Sequence, residues 1–310
     1  MRLVKTKKRS ERKDWGCPRT KNRSNWCHAW CTPERGVGDC GRVAPHGLLG
    51  RTQQAILDSK ISRNDSVPVQ EPRAVSRPRP LTRRARRRLR VVQLLEARDM
   101  AGLRALARKE STVSSTLVAC LNELNDVIRW RAIEGLGWVA ADMAEADLDR
   151  THDLVRRLFW SMTEECGGTA WHAAEGIGEI LTRVPELAPD FTSVLGSHHE
   201  EDPFQDGAIW GLRRIASVRP DLVRKQSEVL QDAAVSDRPA KRGHAAAALA
   251  YLNLPWAVDV LDRMTSDSAE VQEYDRDEGI MRRTTVGAVA WASLKAIAEP
   301  REPDLKRQSG

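Results

Sequence analysis

Aromatic residues other than tryptophan are scarce in this chain, whose 310 residues include 3 Phe and 2 Tyr against 10 Trp. No unbroken apolar run approaches the roughly 20 residues that a membrane-spanning helix needs, so no span is expected. The opening Met1-Arg2-Leu3-Val4-Lys5-Thr6-Lys7-Lys8-Arg9 leads into no apolar h-region, so no secretory signal is expected and a cytoplasmic location follows as the default. The G-x-x-x-x-G-K-[ST] phosphate loop, the G-x-S-x-G nucleophile elbow and the H-E-x-x-H zinc motif are all missing. These absences remove familiar routes to nucleotide hydrolysis, acyl transfer and metalloproteolysis. Segments rich in Val, Ile and Thr with period-two alternation are also lacking, so strands are not expected.

Charge, by contrast, is plentiful and unevenly placed. The chain carries 50 Lys/Arg and 43 Asp/Glu, a net +7. Residues 1–90 hold 24 of the basic and 7 of the acidic residues, or +17, which leaves −10 for the rest. A basic leader therefore precedes an acidic body, and it suits nucleic acid, an anionic surface or the body itself. Between 62 and 83 lie Pro68, Pro72, Pro78 and Pro80 among polar and charged residues. With little to bury, that stretch reads as a linker. Arg83-Arg84-Ala85-Arg86-Arg87-Arg88-Leu89-Arg90 then runs into Val91, Val92, Leu94 and Leu95 at helical spacing, which makes the arginine tract the start of a helix.

Beyond it, helical patterns are expected over 84–97, 100–109, 113–123, 126–142, 147–164, 170–183, 187–195, 204–217, 220–233, 238–252, 255–265 and 284–298. Asn125-Asp126, Gly167-Gly168, Pro185, Pro203, Pro220 and Pro255 punctuate them. Internal repetition decides the architecture. Trp130-Arg131-Ala132-Ile133-Glu134-Gly135-Leu136-Gly137 recurs as Trp171-His172-Ala173-Ala174-Glu175-Gly176-Ile177-Gly178. Weaker echoes are Gly207-Ala208-Ile209-Trp210-Gly211-Leu212-Arg213, Lys241 to Leu249, and Val286 to Trp291. A period of roughly 35–45 residues with Ala and Gly in mid-helix suits stacked helix pairs, because small residues let helices approach. The expected fold is all-α, an α-solenoid over 84–300. The basic cysteine-containing segment 1–61 and the linker 62–83 precede it, and a tail at 301–310 follows.

On these residues the chain resembles the HEAT-repeat superfamily, including the HEAT-like repeats of bilin lyases. From Trp130 to about Pro220 it is also similar to an uncharacterised HEAT-repeat family of anaerobic prokaryotes. The paired W-x-A-x-E-G-[LI]-G copies carry the likeness, with Arg157-Leu158-Phe159-Trp160 followed by Glu164-Glu165-Cys166-Gly167-Gly168. The resemblance covers about the middle third, implies no activity, and does not reach residues 1–83.

Two groups of residues could carry function. On a helix, Trp130 and Glu134 share one face while Ala132, Ile133, Leu136 and Ala140 form another, and Trp171 is expected beside Glu175 in the same way. Trp210 takes the Glu position in the third copy, and Arg213 takes that of Gly178. A groove of rings and carboxylates suits a cationic protein segment. Alternatively the rings fill the core between repeats and the carboxylates satisfy arginines of the next repeat. The paired carboxylates could also suggest acid–base catalysis, but no nucleophile or base breaks the repeat beside them.

The second group is Cys17, Cys27, Cys31 and Cys40, with His28 and His46 nearby. Four thiols among Gly and Pro turns could close a tetrahedral site, with zinc the first candidate and an iron–sulfur cluster the alternative. Their C-x9-C-x3-C-x8-C spacing lacks the usual C-x2-C pairs, so disulfides or unrelated thiols stay open. Lys and Arg interleaved with Trp15, Trp26 and Trp30 make residues 1–60 a candidate nucleic-acid contact, or a solvated tail.

Cys120 and Cys166 read as small packing residues, and His198-His199-Glu200-Glu201-Asp202 as a solvated loop. A non-enzymatic scaffold binding a protein partner is the leading expectation. A nucleic-acid-binding protein acting through the leader comes second. A HEAT-type DNA glycosylase comes third, because its grip on phosphates requires a basic concave face. Oligomeric state is not legible.

Overall fold

A computed structural model describes residues 80–163 and 170–299. The helices are α1 (Arg83–Glu96), α2 (Met100–Lys109), α3 (Val113–Cys120), α4 (Asp126–Ala146), α5 (Leu148–Thr163), α6 (Ala173–Arg183), α7 (Ala188–Ser197) and α8 (Gln205–Ala216). They continue as α9 (Pro220–Arg224), α10 (Ser227–Ala234), α11 (Pro239–Leu249), α12 (Ala257–Met264) and α13 (Val286–Ala298). Between the last two lies a hairpin of β1 (Glu270–Asp275) and β2 (Ile280–Thr285), paired antiparallel with Glu270 opposite Thr285.

The helices stack as two layers. In one, α4, α6, α8, α11 and α13 pack successively side by side, and α3, α5, α7, α10 and α12 each back one of them from the other layer. The fold is an α-solenoid of stacked helix pairs. Inner helices are sandwiched, so α4 buries Trp130, Ala132, Ile133, Glu134, Leu136 and Val139 on more than one side. Helix α5 in the outer layer instead buries a stripe, Thr151, Val155, Leu158 and Met162, at helical spacing. Helices α6 and α8 come so close at Gly178 and Gly211 that a Cβ on Gly178 would lie 2.3 Å from the Gly211 Cα. The small mid-helix residues of the repeat thus permit the approach that the sequence predicts.

The arginine tract begins α1 as expected, with the Thr82 hydroxyl capping the Ala85 amide at 3.2 Å and Val91 and Leu95 buried. Arg87 pairs with Glu110 at 2.9 Å and Arg88 with Glu123, so part of the tract does pack along the acidic body. Cys120 is buried, as its packing role requires, and burial pushes its thiol up to about 11.

Three expectations need correction. The hairpin is a strand pair where none was expected. Its buried contacts are largely polar, so its sequence needs no apolar alternation. The helix expected over 220–233 is two, interrupted at Lys225-Gln226. His198 is not in a solvated loop: it is buried in a short 3-10 turn, bonds Glu201 at 2.7 Å and stacks near Phe159. Among the described residues no group of His, Cys, Asp and Glu is placed to hold a metal, and no helix is long and apolar enough to cross a membrane.

Candidate functional site

Helix α6 lies within one layer, between α4 and α8. Trp130 of α4 and Trp210 of α8 flank that helix, yet their ring centroids are 5.0 Å apart. Tyr274 of the hairpin stacks on Trp130 at 5.8 Å with ring planes 9° apart. Its hydroxyl donates to Glu134 Oε2 at 2.8 Å. Burial first, and then the Glu134 carboxylate, push the Tyr274 phenol well above its ordinary value, so it stays a donor.

Two residues along the hairpin, Arg276 reaches Glu179 of α6. Its Nη1 and Nη2 donate to the two carboxylate oxygens at 2.7 and 2.8 Å, the forked geometry that favours Arg over Lys. Glu179 is fully buried and also accepts from Arg183 at 2.9 Å and Arg214 at 3.0 Å. Burial would raise its carboxyl, but the Arg214, Arg276 and Arg183 charges outweigh it and hold the group at about 2. Arg183 in turn lies 3.4 Å from the centre of the Trp138 ring, which Arg104 approaches from 4.9 Å. A second ion pair, Arg213 to Glu273 at 2.6 Å, joins α8 to β1.

The hairpin tip reaches the first repeat. Its turn is local chemistry: Asp275 accepts from the Asp277 and Glu278 amides at 2.9 and 3.0 Å, and Gly279 adopts φ +69°. Arg131 donates to the Gly279 carbonyl at 3.0 Å and to the Leu95 and Glu96 carbonyls at the end of α1. Arg98 leaves α1 with φ 52° and donates to the Arg276 and Asp277 carbonyls.

Of the residues nominated from sequence, Trp130, Glu134, Trp210 and Arg213 come together on this face. Glu175 is buried but bonds His172 at 2.8 Å, and its other oxygen has no hydrogen-bond partner. Trp171 does not join it. Helix α6 starts at Ala173, so Trp171 precedes the helical spacing and stands 64% exposed. Sequence reasoning missed Glu179, Tyr274 and Arg276. Glu179 directly follows the repeated octapeptide. The other two lie in the helix-free interval between 265 and 284, whose length was a signal. Cys17, Cys27, Cys31 and Cys40, the basic residues of 1–60, and Cys166 lie outside the described residues.

No family model matches the chain, and no curated protein does. Among solved structures it is similar to a designed armadillo repeat protein, at 17% identity and TM-score 0.39, over 67% of this chain and 98% of that one. It is also similar to a HEAT-like repeats protein of the archaeon Thermococcus onnurineus NA1. That likeness has 14% identity and TM-score 0.36, over 74% of this chain and 85% of the other. Both are repeat proteins.

Proposed function

We propose that the chain is a non-enzymatic scaffold that holds a protein segment on the concave face formed by α4, α6 and α8. One observation carries this reading: that face engages an extended segment, the chain's own hairpin, through a ring stack, a buried carboxylate and a forked ion pair. Such contacts depend on side-chain identity and direction, which a recognition surface needs. A glycosylase would need free cations on this face to grip phosphates. Arg183, Arg213, Arg214 and Arg276 are instead each paired with a carboxylate, which counts against that chemistry.

A photo-crosslinking residue placed at Arg213, in cells of the source organism, tests the reading against one placed at Val258 of α12. Protein adducts specific to position 213, and weakened by Glu134→Gln/Glu175→Gln at unchanged melting temperature, are expected. Equal adducts at both positions, or none at 213, would overturn it. The +17 of residues 1–90 favours a second reading, nucleic acid bound by the leader. It requires binding that falls steeply with salt and disappears when residues 1–60 are removed.

A further inference from the structure

We propose that the socket made by Trp130, Glu134 and Glu179 recognises a protein segment bearing an aromatic residue two positions before an arginine, and that the hairpin is a resident occupant which this partner displaces. The inference rests on the scaffold reading and names the chemistry of its partner.

The spacing comes from the occupant. Tyr274, in β1, and Arg276, at the start of the turn that follows, lie two positions apart. Together they meet the ring of Trp130 and the carboxylates of Glu134 and Glu179. The socket also keeps its charge balance when vacated. Glu179 would retain Arg183 at 2.9 Å and Arg214 at 3.0 Å, so it stays ionised and in place. Glu134, which bonds the Tyr274 hydroxyl at 2.8 Å and lies 3.9 Å from Arg276, would be freed for a ligand.

The hairpin itself is built to leave. Two strands alone are marginal in water. In β2, Ile280, Arg282 and Arg283 are exposed and the other three residues are half-buried. Only Val271 is buried in β1. The two ends of the hairpin are fixed: Val286 and Gly287 donate to the Ala269 and Asp267 carbonyls at 3.0 and 2.8 Å. Release of residues 274–279 therefore needs no movement of α12 or α13. Tethering also explains why the socket is filled, since a short tether gives an effective concentration on the order of millimolar.

The test uses the full chain and a fluorescein-labelled peptide of residues 270–279. The variant Tyr274→Ala/Arg276→Ala empties the socket. It should bind the peptide at least about tenfold more tightly than the parent does, the factor by which a tethered competitor depresses apparent affinity. A peptide with Ala at both key positions should not bind. A helical double variant that ignores the peptide, or that takes the Ala peptide equally well, would overturn the proposal. Should the double variant fail to fold, Arg98→Ala serves instead, since it loosens the tip and leaves the socket intact. Binding no tighter than the parent's would then be the overturning result. Either failure leaves crosslinking at Arg213 unaffected, so the scaffold reading stands or falls separately.

Discussion

Arg276 and Glu179 share two hydrogen bonds, of 2.7 and 2.8 Å, although 97 residues separate them. The carboxylate is the common anion of three guanidiniums from α6, α8 and the hairpin, and it has no access to water. Its chemistry thus joins two repeats and the strap across them.

Glu179→Gln should therefore be severe. It leaves Arg183, Arg214 and Arg276 facing one another without their shared anion, and breaking a buried pair costs about 3–5 kcal/mol. Urea denaturation should show the lowered midpoint, whereas Glu278→Gln at the exposed hairpin turn should leave it nearly unchanged.

Glycine substitutions should separate by position. Gly178→Ala drives a Cβ to 2.3 Å from backbone of α8, which cannot yield as a side chain could. A loss of about 1–3 kcal/mol is expected from such overpacking. At Gly243, in α11, a new Cβ would meet Val271 at an ordinary 3.8 Å. Gly243→Ala should be neutral or stabilising by about 0.5–1 kcal/mol, through helix propensity. Thermal melts of the two variants test the contrast.

Acid should destabilise the fold in two stages. Burial, followed by the Arg213 charge, lowers the His244 imidazole from 6.5 to about 4, against the pull of Glu273. Below its ordinary value the unfolded chain binds the proton and the folded chain resists it, so stability falls with pH. His244 contributes fully above pH 6.5 and loses that contribution toward pH 4. Glu179 follows the same sign lower down, contributing fully above 4.5 and losing its contribution toward about 2. Melting temperatures of the parent should drop in the upper window, and His244→Gln should flatten that part of the profile.

For the leader, metal analysis of the full chain purified anaerobically should find about one zinc per chain, or iron with sulfide absorbance. Cys27→Ser/Cys31→Ser should abolish it. A metal-free parent would remove the site.

The helices were legible because their signals are local. Asn125 and the proline punctuation mark where they begin, and the octapeptide repeat announces that α4 and α6 stack alike. Trp130, Glu134, Trp210 and Arg213 were legible as a group for the same reason. The hairpin was not. Val271 is the one buried residue of β1, while Glu273 and Tyr274 meet partners on α8 and α4, and Arg276 in the turn meets one on α6. Those partners are distant in sequence, so no window along the chain contains both halves of any contact. Trp171 fails for a smaller reason: the second copy keeps the letters of the repeat, but its helix starts two residues after Trp171, whereas α4 begins four residues before Trp130.

The bond from Arg98 to the hairpin tip has a consequence for how the molecule comes apart. A stack whose members touch only their neighbours can fray from either end. Here the α1–α2 turn is fastened to a segment that enters from α12 and continues into α13. The first repeat cannot peel away without releasing the strap, and the last cannot leave without dragging it off the first. The two ends share one latch, so a partner that displaces the strap should leave both ends of the row freer to fray.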